Sequence, residues 1–155
     1  MIYSSIGVLI KDLPKNTRLL GIDLGKKTMG LAVSDTNLKV ATSVKTIRRT
    51  KFHEDVRILT AIINERSAGG LLIGLPISMD GTEGPACQSV RQFAINLDGL
   101  IKIKIGFWDE RLSTNAVQRI LIDEADLSRK RRSEVVDTMA ATYILQGALD
   151  SLNAR

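Results

Sequence analysis

One cysteine, Cys87, among 155 residues rules out an intramolecular disulfide and fits a reducing compartment. With no histidine near it in the sequence to act as a base, Cys87 reads as a small packing residue rather than a nucleophile. Aromatic residues make up only 4%, too few for the interleaved ring platform of single-strand nucleic-acid binders, so Trp108 is assigned to packing. The one histidine, His53, opens a charged helical segment and reads as an exposed side chain. No apolar run approaches the ~18 residues that a bilayer span requires. The first residues carry Ile6, Val8, Leu9 and Ile10 but neither a basic start nor a small-residue cleavage site. No secretory leader and no membrane partner are therefore expected, and the expected location is the cytoplasm. Internal repeats, low-complexity tracts and interdomain linkers are also missing.

The chain does have a hydrophobic content of 44% and a mean hydropathy of +0.04, enough for one core but not for two lobes with a cleft between them. A formal charge of +5 and a pI near 9.6 favour polyanionic partners. Arg18–Asp23 is an apolar run ending in an acid, and a Gly-Lys-Lys turn joins it to Leu31–Val33, the pattern of a hairpin. Val40, Thr42, Val44 and Thr46 alternate as a third strand over Lys39–Ile47. Val56, Leu59, Ile62 and Ile63 predict a helix over His53–Glu65, terminated by Ala68-Gly69-Gly70. Leu71–Gly74 has the continuous apolarity of a central parallel strand, with a loop beginning at Leu75-Pro76. A helix over Ala86–Leu97 and a strand over Ile101–Trp108 follow. Ser113 or Thr114 caps a helix to about Ile122, and a basic stretch over Asp126–Arg132 precedes a last helix capped by Ser133. The expected architecture is α/β in the order βββαβαβαα: a mixed five-stranded sheet with helices on both faces.

Acids at the carboxyl edge of such a sheet are the positions to test for function. Asp23 ends the first strand, Asp109 and Glu110 end the last, and Asp137 sits early in the final helix on the side of Ala140, Ala141 and Ile144. Each has an ordinary explanation. Asp23 could make an Asx turn. The Asp109-Glu110 pair could serve Arg111, and Asp137 could complement a helix N-terminus. Together they fit hard oxygen ligation of Mg²⁺ or Mn²⁺, with two ions as expected for phosphodiester hydrolysis. Lys26 and Lys27 in the first turn are candidate phosphate contacts. So are Arg129, Lys130, Arg131 and Arg132 ahead of Asp137, with Arg48-Arg49-Thr50-Lys51 as a second basic stretch. Asp80 before Gly81 reads as a turn residue rather than a further ligand.

Four segments in order resemble the motifs of the YqgF family. They are Gly21-Ile22-Asp23-Leu24-Gly25 with Lys27 and Gly30; Gly74-Leu75-Pro76 with Asp80-Gly81; Asp109 to Thr114; and Val136 to Ala141 with Ile144-Leu145-Gln146. The resemblance spans about Leu19 to Leu149. It implies one ribonuclease H-like domain over 1–155, with residues 1–17 an extension of unassigned role. It also implies a cytoplasmic nuclease that processes the 5′ end of precursor 16S rRNA. By position, Asp23, Asp137 and one member of the Asp109-Glu110 pair would bind metal. Adjacent strand residues face opposite ways, so only one of that pair can do so, and Glu110 is favoured. RuvC-type enzymes, to which the family is related, carry an acid on the strand corresponding to Leu71–Gly74; this chain has none there. The expected partner is precursor rRNA or branched DNA. Holliday junction resolution is the alternative activity, and a non-catalytic nucleic-acid-binding or ribosome-assembly module is the alternative class. A phosphotransferase of the actin-like ATPase type, which has a similar Asp-x-Gly loop, would need a second lobe. No apolar stripe is distinctive enough to predict a homo-oligomer.

Overall fold

The computed structural model of the chain describes residues 1–112 and 129–154, with side chains described over 1–111 and 139–154. Helix α1 (Ile6–Asp12) precedes three strands, β1 (Arg18–Leu24), β2 (Thr28–Ser34) and β3 (Ala41–Arg48). Helix α2 (Phe52–Glu65), strand β4 (Ala68–Leu75), helix α3 (Pro85–Asp98) and strand β5 (Lys104–Asp109) follow. A 3-10 turn (Glu110–Leu112) and helix α4 (Arg129–Asn153) complete the order. The strands form one sheet in the order β3-β2-β1-β4-β5. The pairs β3–β2 and β2–β1 are antiparallel, and β1–β4 and β4–β5 are parallel. The expected helix over 113–122 lies outside the described residues.

Period-two alternation divides the strand side chains between two cores. Leu20, Ile22, Leu71 and Ile73 meet Leu59, Ile62, Phe93 and Leu97 of α2 and α3. Leu19, Ala32 and Leu72 meet Leu9 of α1 and Ala141, Ile144, Leu145, Ala148 and Leu149 of α4. Central strands buried on both faces account for the continuous apolarity of Leu71–Ile73, each of them fully buried.

Three expectations need correction, and residues 1–17, which had no assigned role, have a place in the sheet. Gly69 and Gly70 lie inside β4 rather than ending a helix; α2 ends at Glu65 with Arg66 as its C-cap, and Ser67, at φ 54°, makes the tight passage into the strand. A Cβ at Gly69 would stand 2.2 Å from Thr17 Oγ1, and one at Gly70 would stand 2.8 Å from Leu13 Cδ1, so these glycines admit the chain leading into β1. The alternation in β3 breaks at a register shift opposite Leu31 and Ala32: Val40 and Thr42 are exposed, and Ile47 is the buried residue. The last helix begins at Arg129, so the basic stretch is its first turn and Ser133 is internal. Residues 1–17 are integral to the sheet's far edge. Tyr3 N–H donates to the Ile105 carbonyl at 2.8 Å, Ile105 N–H donates to the Met1 carbonyl at 2.9 Å, and Leu9 of α1 is fully buried.

Two features of this packing lead to measurements. A Cβ at Gly21 would stand 2.9 Å from Leu145 Cβ and 3.3 Å from the Ala141 carbonyl oxygen, so Gly21→Val pushes α4 off β1. The expected cost is about 1–3 kcal/mol, read as a fall in Tm by thermal denaturation. Asp35 holds the β2–β3 turn by accepting the backbone N–H groups of Val40 at 3.0 Å and Lys39 at 2.7 Å, and these bonds, Val40 first, keep its carboxyl below the ordinary range. That stabilisation is complete above the unfolded carboxylate value of about 3.9 and is lost as pH falls through the lower folded value. Asp35→Ala therefore lowers the urea midpoint at neutral pH, and the gap to the parent chain narrows in acid.

Candidate active site

The carboxyl ends of β1, β4 and β5 lie side by side, because Ile22 pairs with Ile73 and Leu75 with Asp109. Asp23 stands at this edge of β1, two residues after Gly21 and so on the α4 face of the sheet. The acid pair splits between strand and turn: Asp109 is the last residue of β5, and Glu110 opens the 3-10 turn. The two have separate partners. Asp109 accepts from Arg111 three ways, with Nη2 at 2.6 Å, Nε at 2.9 Å and the backbone N–H at 3.0 Å, and this guanidinium holds its carboxyl below the usual range. Glu110 turns back over the sheet and is hydrogen-bonded to Asp23.

A missing side chain makes that return possible. A Cβ at Gly74 would stand 2.6 Å from Glu110 Oε1 and 2.8 Å from its Cγ, so the glycine at the end of β4 is the floor beneath Glu110. The strand without an acid of its own thus accommodates one from the neighbouring turn. Burial is the largest influence on Glu110 and pushes its carboxyl up; the hydrogen bond with Asp23 opposes this, and the charge of Asp109 adds to the rise. Two carboxyl groups in contact share a proton or a cation, since two full negative charges in a poorly solvated place repel strongly.

Asp137 is carried by α4, roughly two turns after the helix begins, beyond the reach of a first-turn dipole effect. Its side chain lies outside those described, but the position of its backbone is informative. Thr142 Oγ1 is 3.0 Å from Ser43 Oγ, and Gln146 Oε1 accepts from Ala41 N–H at 2.8 Å, so α4 runs antiparallel to β3 and β1. Position 137 is one turn before Ala141, which lies against Gly21, and hence lies toward the edge that holds Asp23 and Glu110. Among the described residues no three His, Cys, Asp or Glu side chains are gathered to hold a metal ion; two of the expected acids meet there, and the third is outside that set.

Lys26 and Lys27 are exposed in the β1–β2 turn next to Asp23. That turn is pinned by Arg49, whose N–H donates to the Lys27 carbonyl at 2.8 Å and whose guanidinium bonds the Gly25 carbonyl and lies 5.8 Å from the Phe93 ring centroid. Arg49 is therefore committed to structure. Arg129, Lys130, Arg131 and Arg132 form the start of α4, with side chains outside the described set. Asp80 makes the expected turn, accepting from Thr82 N–H at 3.0 Å and Thr82 Oγ1 at 2.6 Å. His53 is exposed. Trp108 packs on the α1–α4 side, with its ring nitrogen buried and without a hydrogen-bond partner among the described residues. Cys87 is buried in the first turn of α3, and burial above all pushes its thiol up, the opposite of an activated nucleophile.

A cavity of about 920 Å³ lies at the other end of the sheet, lined by Thr17, Thr60, Asn64, Gly69, Lys102 and Lys104 among others. Among the described residues the one acid lining it is Asp98, which is bound by the Met1 amino group. This cavity is thus apart from the acids, which meet at the opposite end of the sheet. Gly21 and Gly74 stood in the sequence motifs without a role; the structure gives them one, as the places where Leu145 and Glu110 occupy the space of a side chain.

The chain is similar to several named proteins and solved structures. A protein of Paramagnetospirillum magneticum named "Putative pre-16S rRNA nuclease" is 59% identical over 143 residues, covering 92% of each chain. One of the same name from Cereibacter sphaeroides is 55% identical over 153 residues, covering 99% of this chain and 95% of that one. Among solved structures, Thermus thermophilus RuvC in complex with a Holliday junction substrate superposes with a TM-score of 0.52 at 15% identity, covering 89% of this chain and 96% of that one. The yeast mitochondrial Holliday junction resolvase Ydc2 gives 0.51 at 9%, covering 95% and 86%. At these identities the superpositions speak for the fold, which is ribonuclease H-like. The RuvX family model, described as Holliday junction resolvase, matches residues 17–151, nearly all of the sheet and its last helix, and on that match the chain belongs to the RuvX family of resolvase-like nucleases, also known as YqgF.

Proposed function

We propose that this chain is a divalent-metal-dependent nuclease that hydrolyses phosphodiester bonds of structured RNA, with the 5′ end of precursor 16S rRNA as its substrate. The observation that carries the reading is the contact of Glu110 with Asp23 above Gly74, at the sheet edge toward which α4 brings position 137. The relatives above 50% identity that carry the pre-16S name support RNA as the substrate. The family's description supports a second reading, resolution of branched DNA.

The donor set fits Mg²⁺ or Mn²⁺: carboxylate oxygens brought together from separate elements, one of them half-buried and raised by that burial. Asp23, Glu110 and Asp137 would hold the metal. When bound, two such ions would supply activation of the attacking water and charge stabilisation at the leaving 3′ oxygen. The rest falls to the chain. Gly74 gives Glu110 a close backbone floor, Gly21 lets α4 lie against β1, and Ile144 of α4, whose Cδ1 would stand 2.7 Å from a Cβ at Gly74, closes the apolar side against water. Asp109, through Arg111, orders the turn that aims Glu110. Lys26 and Lys27 on one side, and the start of α4 on the other, attract phosphates without reading bases.

Labelled structured RNA and a four-way DNA junction, each incubated with Mg²⁺, Mn²⁺ or EDTA, test this directly. Cleavage of the RNA with metal is expected, abolished by EDTA; preferential cleavage of the junction would favour the second reading, and tight binding with no cleavage under any metal would leave a binding module. Asp23→Asn and Glu110→Gln should each lower kcat by about a hundredfold or more, and Asp109→Asn by about tenfold, as expected of a residue that orients a metal ligand without binding the metal. Replacing Arg129, Lys130, Arg131 and Arg132 with glutamine should weaken binding and flatten its salt dependence, by roughly 0.7–0.9 in the log–log slope for each phosphate that is no longer neutralised.

A further inference from the structure

We propose that the loop between β4 and α3 presents Met79 as an apolar wedge that inserts between stacked bases of the bound nucleic acid beside the acids. The inference rests on the nuclease reading for the class of partner. Met79 is 85% exposed, the highest value among the exposed large apolar side chains of the described residues. It does not sit on a loose segment. Ser78 N–H donates to the Thr82 carbonyl at 2.9 Å, Gly81 N–H donates to the Ser78 carbonyl at 2.8 Å, and Asp80 takes both the N–H and the hydroxyl of Thr82. Gly81 sits at φ 87°, a conformation that glycine adopts at little cost, and Ile77 anchors the base of the loop on the core. The turn holds the methionine outward.

Its location supplies the partner. The loop begins directly after Leu75, which pairs with Asp109, and one residue earlier lies the glycine beneath Glu110. A Cβ at Gly81 would stand 3.8 Å from Arg111 Nη1, so the Arg111 held by Asp109 also flanks this turn. Between residues 76 and 84 the loop has two acids, Asp80 and Glu83, and no lysine or arginine. Glu83 is paired with Arg91 at 2.6 Å and Asp80 lies beside Arg111, so the loop is close to neutral, and the group it presents to nucleic acid brought to Asp23 by the basic turn on the other side is the apolar Met79. Methionine is among the side chains that proteins insert at base steps, where they unstack and kink the helix. Opening the stack at the site would free the backbone to approach the acids.

The test uses the whole chain carrying Asp23→Asn, so that binding is read without cleavage. The probes are a four-way DNA junction and an RNA hairpin with 2-aminopurine placed in turn at successive positions around the branch or helix end, together with an unpaired strand of the same sequence. Binding is expected to raise 2-aminopurine fluorescence at one or two positions of a structured probe. Adding Met79→Ala should remove that rise and weaken binding to that probe by about tenfold, leaving the unpaired strand unaffected, while Met79→Leu keeps both. The proposal is overturned if no probe shows a rise, if the alanine variant gives the same rise, or if it loses affinity equally for the unpaired strand. Cleavage is scored separately with Asp23 intact. Cleavage with unstacking that ignores Met79 sinks the wedge alone, and Met79-dependent unstacking without cleavage in Mg²⁺ or Mn²⁺ sinks the nuclease reading alone.

Discussion

Two carboxyl groups in contact over an apolar sheet are costly unless a proton or a cation lies between them, and the chain places Glu110 against Asp23 in just that relation. Burial raises Glu110, so the contact is unfavourable for folding with both groups charged and favourable for capturing a cation. The surrounding structure supports that arrangement. Parallel pairing of β1, β4 and β5 brings three strand ends to one edge, and the 3-10 turn redirects the chain at the residue where the acid must change sides.

Close backbone approach is the second condition. Gly21 lets α4 lie against β1, and Gly74 lets the Glu110 carboxyl and Ile144 occupy space that a side chain would fill. Apolar packing by Ala141, Ile144, Leu145 and Ala148 then fixes the helix on the sheet. The acid pair and the helix that carries Asp137 are thus positioned by the same contacts, so strain in this core is transmitted to the site. Residues 1–17 extend the sheet beyond β5 and cover its α1 face, steadying the strand that ends in Asp109 and leads into Glu110.

Much of this was legible in the sequence. Leu19 to Asp23, Leu71 to Gly74 and the helical spacing of Val56, Leu59, Ile62 and Ile63 are dictated by burial on one or two faces, which leaves a periodic signal. Asp109 and Glu110 were expected to part by alternation along a strand; in the structure Asp109 ends β5 and is taken by Arg111, while Glu110 opens the 3-10 turn. The break in β3 was not legible, because a bulge shifts alternation without altering composition. Nor was the start of the last helix: Arg129 to Arg132 are good helix formers whose charge looks like a loop.

Local chemistry therefore marked the acids, the basic turn and the order of elements, because hydrophobic period, chain length and charge are properties of neighbouring residues. Long-range packing settled which acid meets Asp23, why two glycines matter, how residues 1–17 complete the sheet, and that Met79 stands outward beside the site. Each of these depends on residues distant in the chain coming within a few ångströms of one another, and a glycine's value lies in what another element puts in the space it leaves. No pattern along one segment encodes that space; it exists only once the sheet and its helices have closed around it.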